Sequence, residues 1–176
     1  MPFDQTTAPK AGETIAVLDT SKGVIKMKFF PKYAPETVKN FTELVKKSFF
    51  DGLTFHRVIP GFMIQGGDPF GTGYGGETYK GPKTTLPGEV SEELHHIHGA
   101  VSMANSGSPD TASSQFFIVQ NPQGSKFLDG GYTIFGQVFE GLDKVDAIVN
   151  VARDANDKPK EKVIIKKVTL EEYKKP

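Results

Sequence analysis

The sequence has 176 residues with 21 Lys and Arg against 21 Asp and Glu, so it carries no net charge and lacks the basic footprint of nucleic-acid-binding proteins. Cysteine is absent, which excludes disulfides, thiolate metal sites and a cysteine nucleophile. The length fits one domain, 19 Gly and 12 Pro predict many turns, and no apolar run approaches the roughly 18 residues of a membrane span.

The chain begins with a polar segment, MPFDQTTAPKAG, that contains two prolines. It lacks the basic start and the continuous apolar stretch of a secretory signal, so we expect a cytoplasmic protein. We predict a flexible arm over residues 1–13, one domain over residues 14–171 and a polar tail over residues 172–176.

The first predicted elements of the domain are a β-hairpin and a helix. Two β-rich runs, Thr14 to Asp19 and Gly23 to Phe30, are separated by a short connection, which predicts antiparallel strands. Pro35 suits the first turn of a helix because its φ is fixed, and Glu36 favours the positive end of the helix dipole. The apolar residues that follow at helical spacing are Val38, Phe41, Leu44 and Val45.

From Leu53 onward, short apolar runs alternate with turns. Nearly all of these runs are bordered by Gly or Pro, and we predict strands for LTFHRVI, GFMIQ, GAVSMA, SQFFIVQ and YTIFGQVF. Residues Gly141 to Val149 predict a second helix, and Lys162 to Leu170 predict a final strand. The order describes an antiparallel sheet with two helices, and closing the sheet into a barrel would remove its exposed edges.

The segment Phe55 to Asp68, FHRVIPGFMIQGGD, contains the first candidate site. Arg57, Phe62, Met63 and Gln65 bring a permanent cation, two large apolar groups and an amide within nine positions. Taken alone, the arginine also fits a solvated or ion-paired side chain, and the two apolar residues also fit an ordinary core.

The segment Met103 to Val119 contains the second candidate site. A loop rich in Ser, Asn and Gly leads into a strand with Gln115, Phe116 and Phe117. Because successive side chains of a strand alternate, the two phenylalanines face opposite sides and only one belongs to a given pocket. A long turn followed by a core strand is the alternative interpretation.

Several motifs occur in a fixed order along the chain. They are FHRVIPGFMIQGGD, GTG at Gly71 to Gly73, SMAN at Ser102 to Asn105, SQFFI at Ser114 to Ile118 and FLDG at Phe127 to Gly130. In this order and approximate spacing, from Thr14 to Leu170, the chain resembles the cyclophilin family of peptidyl-prolyl cis-trans isomerases. The resemblance implies a mainly β fold, a closed eight-stranded antiparallel β-barrel capped by two α-helices, with a substrate groove on its outer surface.

The resemblance also implies roles for individual residues. Arg57 is the catalytic guanidinium. The substrate-binding positions are Phe62, Met63, Gln65, Gly71, Ala104, Asn105, Ser106, Gln115, Phe117, Phe127, Leu128 and Tyr132. Three of these depart from the common pattern: Phe127 stands where many members have Trp, Tyr132 where they have His, and Ser106 where Ala is common. We therefore expect isomerisation to be retained and cyclosporin A to bind with reduced affinity.

The implied function is that of a peptidyl-prolyl cis-trans isomerase (EC 5.2.1.8 class) that accelerates rotation of X–Pro bonds in peptides and folding proteins. An arginine hydrogen bond to the prolyl nitrogen and a hydrophobic proline pocket would suffice, with no covalent intermediate, metal or cofactor. The expected partners are proline-containing peptides and unfolded or partly folded proteins, not nucleic acid or membranes, and we expect a monomer. The alternative is a proline-peptide binding or chaperone module that uses the same pocket; turnover distinguishes the two.

Two further patterns suggest other chemistry. GTGYGG at Gly71 to Gly76 satisfies the dinucleotide-binding pattern G-x-G-x-x-G, but Pro82 and Pro87 follow where a helix would have to begin. The group HHIH contains three histidines, yet adjacent residues of an extended segment point apart and no Cys completes a metal site. We predict that His95, His96 and His98 lie on the surface.

Overall fold

The computed structural model describes residues 3–176, and within that range the fold contains two α-helices and ten β-strands. Residues 1 and 2, at the start of the predicted flexible arm, lie outside the described residues. The elements in chain order are β1 (Thr14–Thr20), β2 (Gly23–Phe29), α1 (Pro35–Lys46), β3 (Arg57–Ile59), β4 (Met63–Gly66), β5 (Glu77–Thr78), β6 (Gly81–Pro82), β7 (Ala100–Met103), β8 (Phe116–Val119), β9 (Ile134–Glu140), α2 (Leu142–Val149) and β10 (Ile165–Glu172).

Both predicted helices and all the predicted strands are present. The five runs predicted as strands contribute β3, β4, β7, β8 and β9, although β3 begins only at Arg57. The last strand lies slightly later than predicted, and the short pair formed by β5 and β6 was not predicted.

Eight of the strands form one antiparallel sheet in the order β10-β1-β2-β9-β7-β8-β4-β3. The sheet curls so strongly that its two ends meet. Ile165 N–H donates to Leu53 O at 2.7 Å and Phe55 N–H donates to Val163 O at 3.0 Å, with a bridge between Thr54 and Ile164. These bonds join the segment before β3 to the start of β10, so the predicted barrel is confirmed.

The two faces of the curled sheet bury different sets of side chains. In β8, Phe116 and Ile118 point into the main core inside the barrel, whereas Phe117 and Val119 belong to a second cluster outside it. The prediction that the two phenylalanines face opposite sides is therefore confirmed. Burying a side chain of this size stabilises a fold by about 1.5–3 kcal/mol. The outer cluster, which also contains Met63, is an apolar patch beneath the barrel surface.

Helix α1 begins at Pro35 as predicted, but its first turn is capped from elsewhere in the chain. Ala34 has no side-chain acceptor, and the N–H groups of Glu36 and Thr37 instead donate to the Glu89 carboxylate at 3.1 and 2.7 Å. The negative charge lies at the positive end of the helix dipole. The sequence offers no signal for this long-range cap.

Both helices pack on the interior cluster. The ring of Phe41 in α1 stacks on Phe50 at 4.7 Å and lies 5.3 Å from Phe135 of β9. Helix α2 buries Val145 and Ile148 in the same cluster. Neither helix, nor any other helix of residues 3–176, combines the length and the apolar character needed to cross a bilayer.

The N-terminal segment from residue 3 lies against the domain. Gln5 is only 5% exposed: its Nε2 donates to His95 O at 3.0 Å, and its Oε1 accepts from His95 N–H at 2.6 Å. The Phe3 ring lies 5.2 Å from Tyr33. Tyr173, in the predicted tail, donates its N–H to Glu13 O at 2.8 Å. The polar composition that suggested a flexible arm gives no sign of these contacts.

Candidate active site

A row of directly paired residues crosses four neighbouring strands on the outer face of the sheet. Arg57 of β3 is paired with Gln65 of β4, Gln65 with Phe117 of β8, and Phe117 with Ser102 of β7. Directly paired residues project from the same face of a sheet. The topology therefore brings together side chains from the two candidate segments, which are far apart in the sequence.

A cavity of about 150 Å³ opens above this row. Met63 and Phe117 are almost fully buried, and with Leu128 they belong to the apolar outer cluster. The residues that line the cavity are Arg57, Phe62, Met63, Gln65, Ala104, Asn105, Phe117 and Tyr132. The site thus combines an apolar floor with one cation and two amides at its edge.

A relay of side-chain amides holds the arginine. Arg57 Nη1 donates to Gln65 Oε1 at 3.2 Å, and Gln65 Nε2 donates to Gln115 Oε1 at 2.8 Å. Gln115 Nε2 in turn donates to the carbonyl oxygens of Gly73 and Gly75 at 2.9 and 2.7 Å. Each amide therefore has a fixed orientation, and the relay directs an oxygen towards the guanidinium.

Arg57 keeps its charge available at the surface. Its side chain is exposed, and no carboxylate of residues 3–176 lies within ion-pairing distance of the guanidinium, whereas the chain's other arginine, Arg153, pairs with Asp157 at 3.2 Å. The ion-paired alternative for Arg57 is therefore wrong, whereas its exposed side chain fits the solvated alternative. Most of the donors of its guanidinium fork remain unused by the protein.

The glycine-rich loop that ends the relay is organised around Asp68. The carboxylate accepts hydrogen bonds from the backbone N–H groups of Phe70, Thr72, Gly73 and Gly75. Burial raises the pKa of Asp68, but these hydrogen bonds outweigh burial and hold the pKa below its usual value. A Cβ on Gly75 would lie 2.0 Å from Asp68 Oδ1, so this position requires glycine. The loop continues into β5 rather than a helix, unlike a dinucleotide-binding turn.

A second cavity of about 310 Å³ adjoins the first, since Gln65, Ala104 and Asn105 line both. Ser106 and Gln115 also line it, as the resemblance implies. Gly71 lines neither cavity, and its contribution to the groove stays a prediction. The glycines that line the second cavity are Gly73, Gly75 and Gly76.

The remaining predicted residues lie around the first cavity. Phe127 is 77% exposed, and its ring lies 5.6 Å from Phe62, so it forms the outer rim. Tyr132 meets Phe117 edge-on at 5.8 Å. Asn105 is fixed by its Nδ2, which donates to Gly131 O at 2.9 Å.

The prediction that all three histidines lie on the surface is wrong for His96. Its ring is buried against Phe117, whereas the side chain of His95 remains 55% exposed. Adjacent residues in an extended segment point to opposite sides, which is consistent with one exposed and one buried ring. The sequence did not indicate which of the two rings is buried, or that Asp129 forms a hydrogen bond with it.

The sequence matches the profile of the family described as cyclophilin type peptidyl-prolyl cis-trans isomerase/CLD over residues 15–170. The chain belongs to this family. A Staphylococcus aureus relative named for peptidyl-prolyl cis-trans isomerase activity is 41% identical, and the match covers 92% of this cyclophilin and 93% of the relative. A Streptococcus pyogenes relative named for both phosphatase and isomerase activity is 39% identical, and the match covers 96% of this chain but only 40% of that protein.

Solved structures have the same fold. A crystal structure of a Cryptosporidium parvum cyclophilin type peptidyl-prolyl cis-trans isomerase has a TM-score of 0.85 and 34% sequence identity, covering 93% of this chain and 99% of that one. A second structure of that isomerase, in the presence of the dipeptide Ala-Pro, has a TM-score of 0.84 and covers 89% of this chain and 98% of that one.

Proposed function

We propose that this cyclophilin, a peptidyl-prolyl cis-trans isomerase, acts on X–Pro bonds of peptides and of unfolded or folding proteins at the cavity beside Arg57. The observation that carries the proposal is an exposed guanidinium, with no carboxylate partner among residues 3–176, at the edge of an apolar cavity floored by Met63 and Phe117. The Ala-Pro dipeptide used with the Cryptosporidium relative supports a proline-containing substrate.

The chemical task is to favour the twisted state of an amide. An X–Pro bond rotates slowly because of its partial double-bond character, with a barrier of about 18–20 kcal/mol. At the top of the barrier conjugation is lost, and the prolyl nitrogen gains a lone pair that accepts a hydrogen bond. A donor beside that nitrogen interacts more strongly with the twisted state than with the planar one, which lowers the barrier.

Arg57 suits this task because its guanidinium is always charged and presents a rigid fork of donors. The relay through Gln65 and Gln115 keeps the guanidinium in place before substrate arrives, so little reorganisation is needed during rotation. The apolar floor would hold the proline ring while the preceding carbonyl swings. No covalent bond forms or breaks, so rotation needs no nucleophile.

Phe127 and Tyr132, beside the cavity, differ from the residues that many family members have, and we therefore expect cyclosporin A to bind weakly. Phe127 has no N–H group, whereas the Trp that many family members carry at this position can donate a hydrogen bond. Tyr132 adds a bulkier ring beside Phe117 than the common His. These changes lie at the edge of the cavity and leave Arg57 and its relay intact.

The test is a protease-coupled assay with a short proline peptide, run on the wild type, Arg57→Ala and Arg153→Ala. Loss of a preorganised donor costs about 2–4 kcal/mol of transition-state stabilisation, or roughly 30- to 900-fold in kcat/KM. Arg153→Ala removes the chain's other arginine, which lines neither cavity, and should keep full activity. Arg57→Ala within threefold of the wild type would overturn the role of Arg57, and a wild type without turnover would favour the binding module.

A further inference from the structure

A buried histidine lies directly behind the apolar floor of the cavity. The ring of His96 is 1% exposed and lies nearly parallel to Phe117, with 5.8 Å between ring centroids and 10° between planes. It also meets Tyr132 edge-on at 6.2 Å. Both aromatic partners line the cavity, whereas His96 itself does not. His96 thus lies behind the cavity and packs against two of the side chains that line it, Phe117 and Tyr132.

Both ring nitrogens of His96 have hydrogen-bond partners. Nδ1 lies 2.7 Å from Asp129 Oδ1, and Nε2 lies 2.9 Å from Ser102 Oγ. The backbone N–H of His96 also donates to Asp129 Oδ1 at 2.8 Å. By contrast, neither ring nitrogen of the other buried histidine, His56, has a partner among residues 3–176. His96 is therefore oriented by specific bonds and not by packing alone.

These bonds join three parts of the chain that build the proline pocket. Ser102 is paired with Phe117 in the row that ends at Arg57. Asp129 directly follows the short turn Lys126–Leu128, whose Leu128 belongs to the apolar outer cluster. A shift of His96 would therefore displace both Phe117, in the floor of the pocket, and the turn that contains Leu128.

The protonation state of this network follows from its surroundings. Burial lowers the pKa of His96, although the hydrogen bond to Asp129 acts in the opposite direction. Asp129 has a lowered pKa, because hydrogen bonds from His96 and His95 outweigh its burial, and it therefore acts only as an acceptor. At neutral pH the ring is then neutral, with its proton on Nδ1 facing Asp129. Nε2 lies 2.9 Å from Ser102 Oγ, whose hydroxyl also donates to Thr133 O at 3.0 Å.

We propose that His96 is a positioning residue for the proline pocket, holding Phe117 and the Leu128 turn in the arrangement that grips the proline ring. The proposal rests on the function proposed above for that pocket. His96 does not touch substrate, and Arg57 keeps its own relay through Gln65. Removing the His96 bonds should therefore weaken the grip on proline in the planar and twisted states alike, which raises KM and leaves kcat nearly unchanged.

The decisive variant is His96→Phe, which keeps an aromatic ring against Phe117 and loses both side-chain hydrogen bonds. We expect KM for a proline peptide to rise about tenfold, as for the loss of one or two buried hydrogen bonds, with kcat within threefold. His96→Asn, whose amide can still donate to Asp129, should recover part of the loss. His95→Asn is the matched control, since His95 also bonds Asp129, at 2.9 Å, but from the exposed side. It should leave KM within twofold.

A second variant and a binding measurement keep the proposal testable if His96→Phe fails to fold. Asp129→Asn weakens the same contact from the other side and should raise KM in the same direction. Calorimetry measures the affinity for a proline peptide without any turnover. The effect of each variant on binding can therefore be determined even if the isomerase proposal fails. Folded His96→Phe and Asp129→Asn proteins with wild-type KM and affinity would overturn the proposal. A fall in kcat with no change in KM would also overturn it.

Discussion

The amide relay makes a sharp prediction at Gln65, whose oxygen lies 3.2 Å from Arg57 Nη1. Gln65→Glu changes the shape of the side chain very little but places a carboxylate against the guanidinium. The charge that Arg57 offers to the twisted peptide would be partly neutralised. The new side chain would also have no N–H to donate to Gln115, so the relay to Gly73 and Gly75 would be broken.

The magnitude follows from these two effects. Opposite charges at about this separation interact by roughly 1 kcal/mol in water and about 4 kcal/mol near a protein surface, and exposure of Arg57 favours the lower part of that range. A lost hydrogen bond adds about 0.5–1.5 kcal/mol. We expect a loss of about 1–3 kcal/mol in transition-state stabilisation, or roughly 5- to 150-fold in kcat/KM.

The assay compares Gln65→Glu with Gln65→Met, a neutral side chain of similar length that loses the hydrogen bonds but adds no charge. The difference between the two variants measures the charge effect, and it should shrink in 1 M salt, where the Debye length falls to about 3 Å. Gln123→Glu adds the same charge on an exposed turn and serves as the control. The reasoning is refuted if Gln65→Glu is as active as Gln65→Met at low salt.

Three further predictions concern stability and the loop. Burial lowers the pKa values of His56 and His96, so below about pH 6.5 the unfolded chain binds protons that the folded chain does not. The free energy of unfolding, measured in urea titrations, should therefore fall between pH 7.5 and pH 5.5. An unchanged free energy of unfolding would contradict this prediction. Glu89→Ala removes the acceptor at the start of α1 and should cost about 0.5–2 kcal/mol in the same titrations; no loss would mean that water replaces the cap fully. Gly75→Ala should lower kcat/KM at an unchanged fold, checked by circular dichroism, because its Cβ would displace Asp68 and move the carbonyl that orients Gln115; full activity would show that the loop adapts.

The parts of the fold that depend on local patterns were predictable from the sequence. Pro35 and the apolar spacing after it gave the position of α1, and the alternation at Phe116 and Phe117 predicted their opposite faces. The site residues came from motif resemblance, and the sheet register explains why they meet: Arg57 and Phe117 are sixty positions apart but are both paired with Gln65.

The helix cap, the docked N-terminal segment and the buried histidine were missed because each depends on contacts between distant segments. Glu89 caps α1 from more than fifty positions away, and Gln5 holds the backbone of His95 from ninety positions away. Neither residue stands in a local pattern that singles it out. His96 is buried and not on the surface as predicted, because Asp129, thirty-three positions away, compensates for its burial. Such pairings arise from topology, which composition and periodicity do not specify.

The central claim is that Arg57 acts on the twisted peptide bond and not on the bound substrate in general. The most direct measurement therefore determines, for the wild type and Arg57→Ala, both the affinity for a proline peptide by calorimetry and the rate of exchange of the bound peptide by NMR exchange spectroscopy. We predict that affinity changes by less than about threefold while the exchange rate falls roughly 30- to 900-fold. A parallel loss of affinity and rate, or an unchanged exchange rate, would contradict the account.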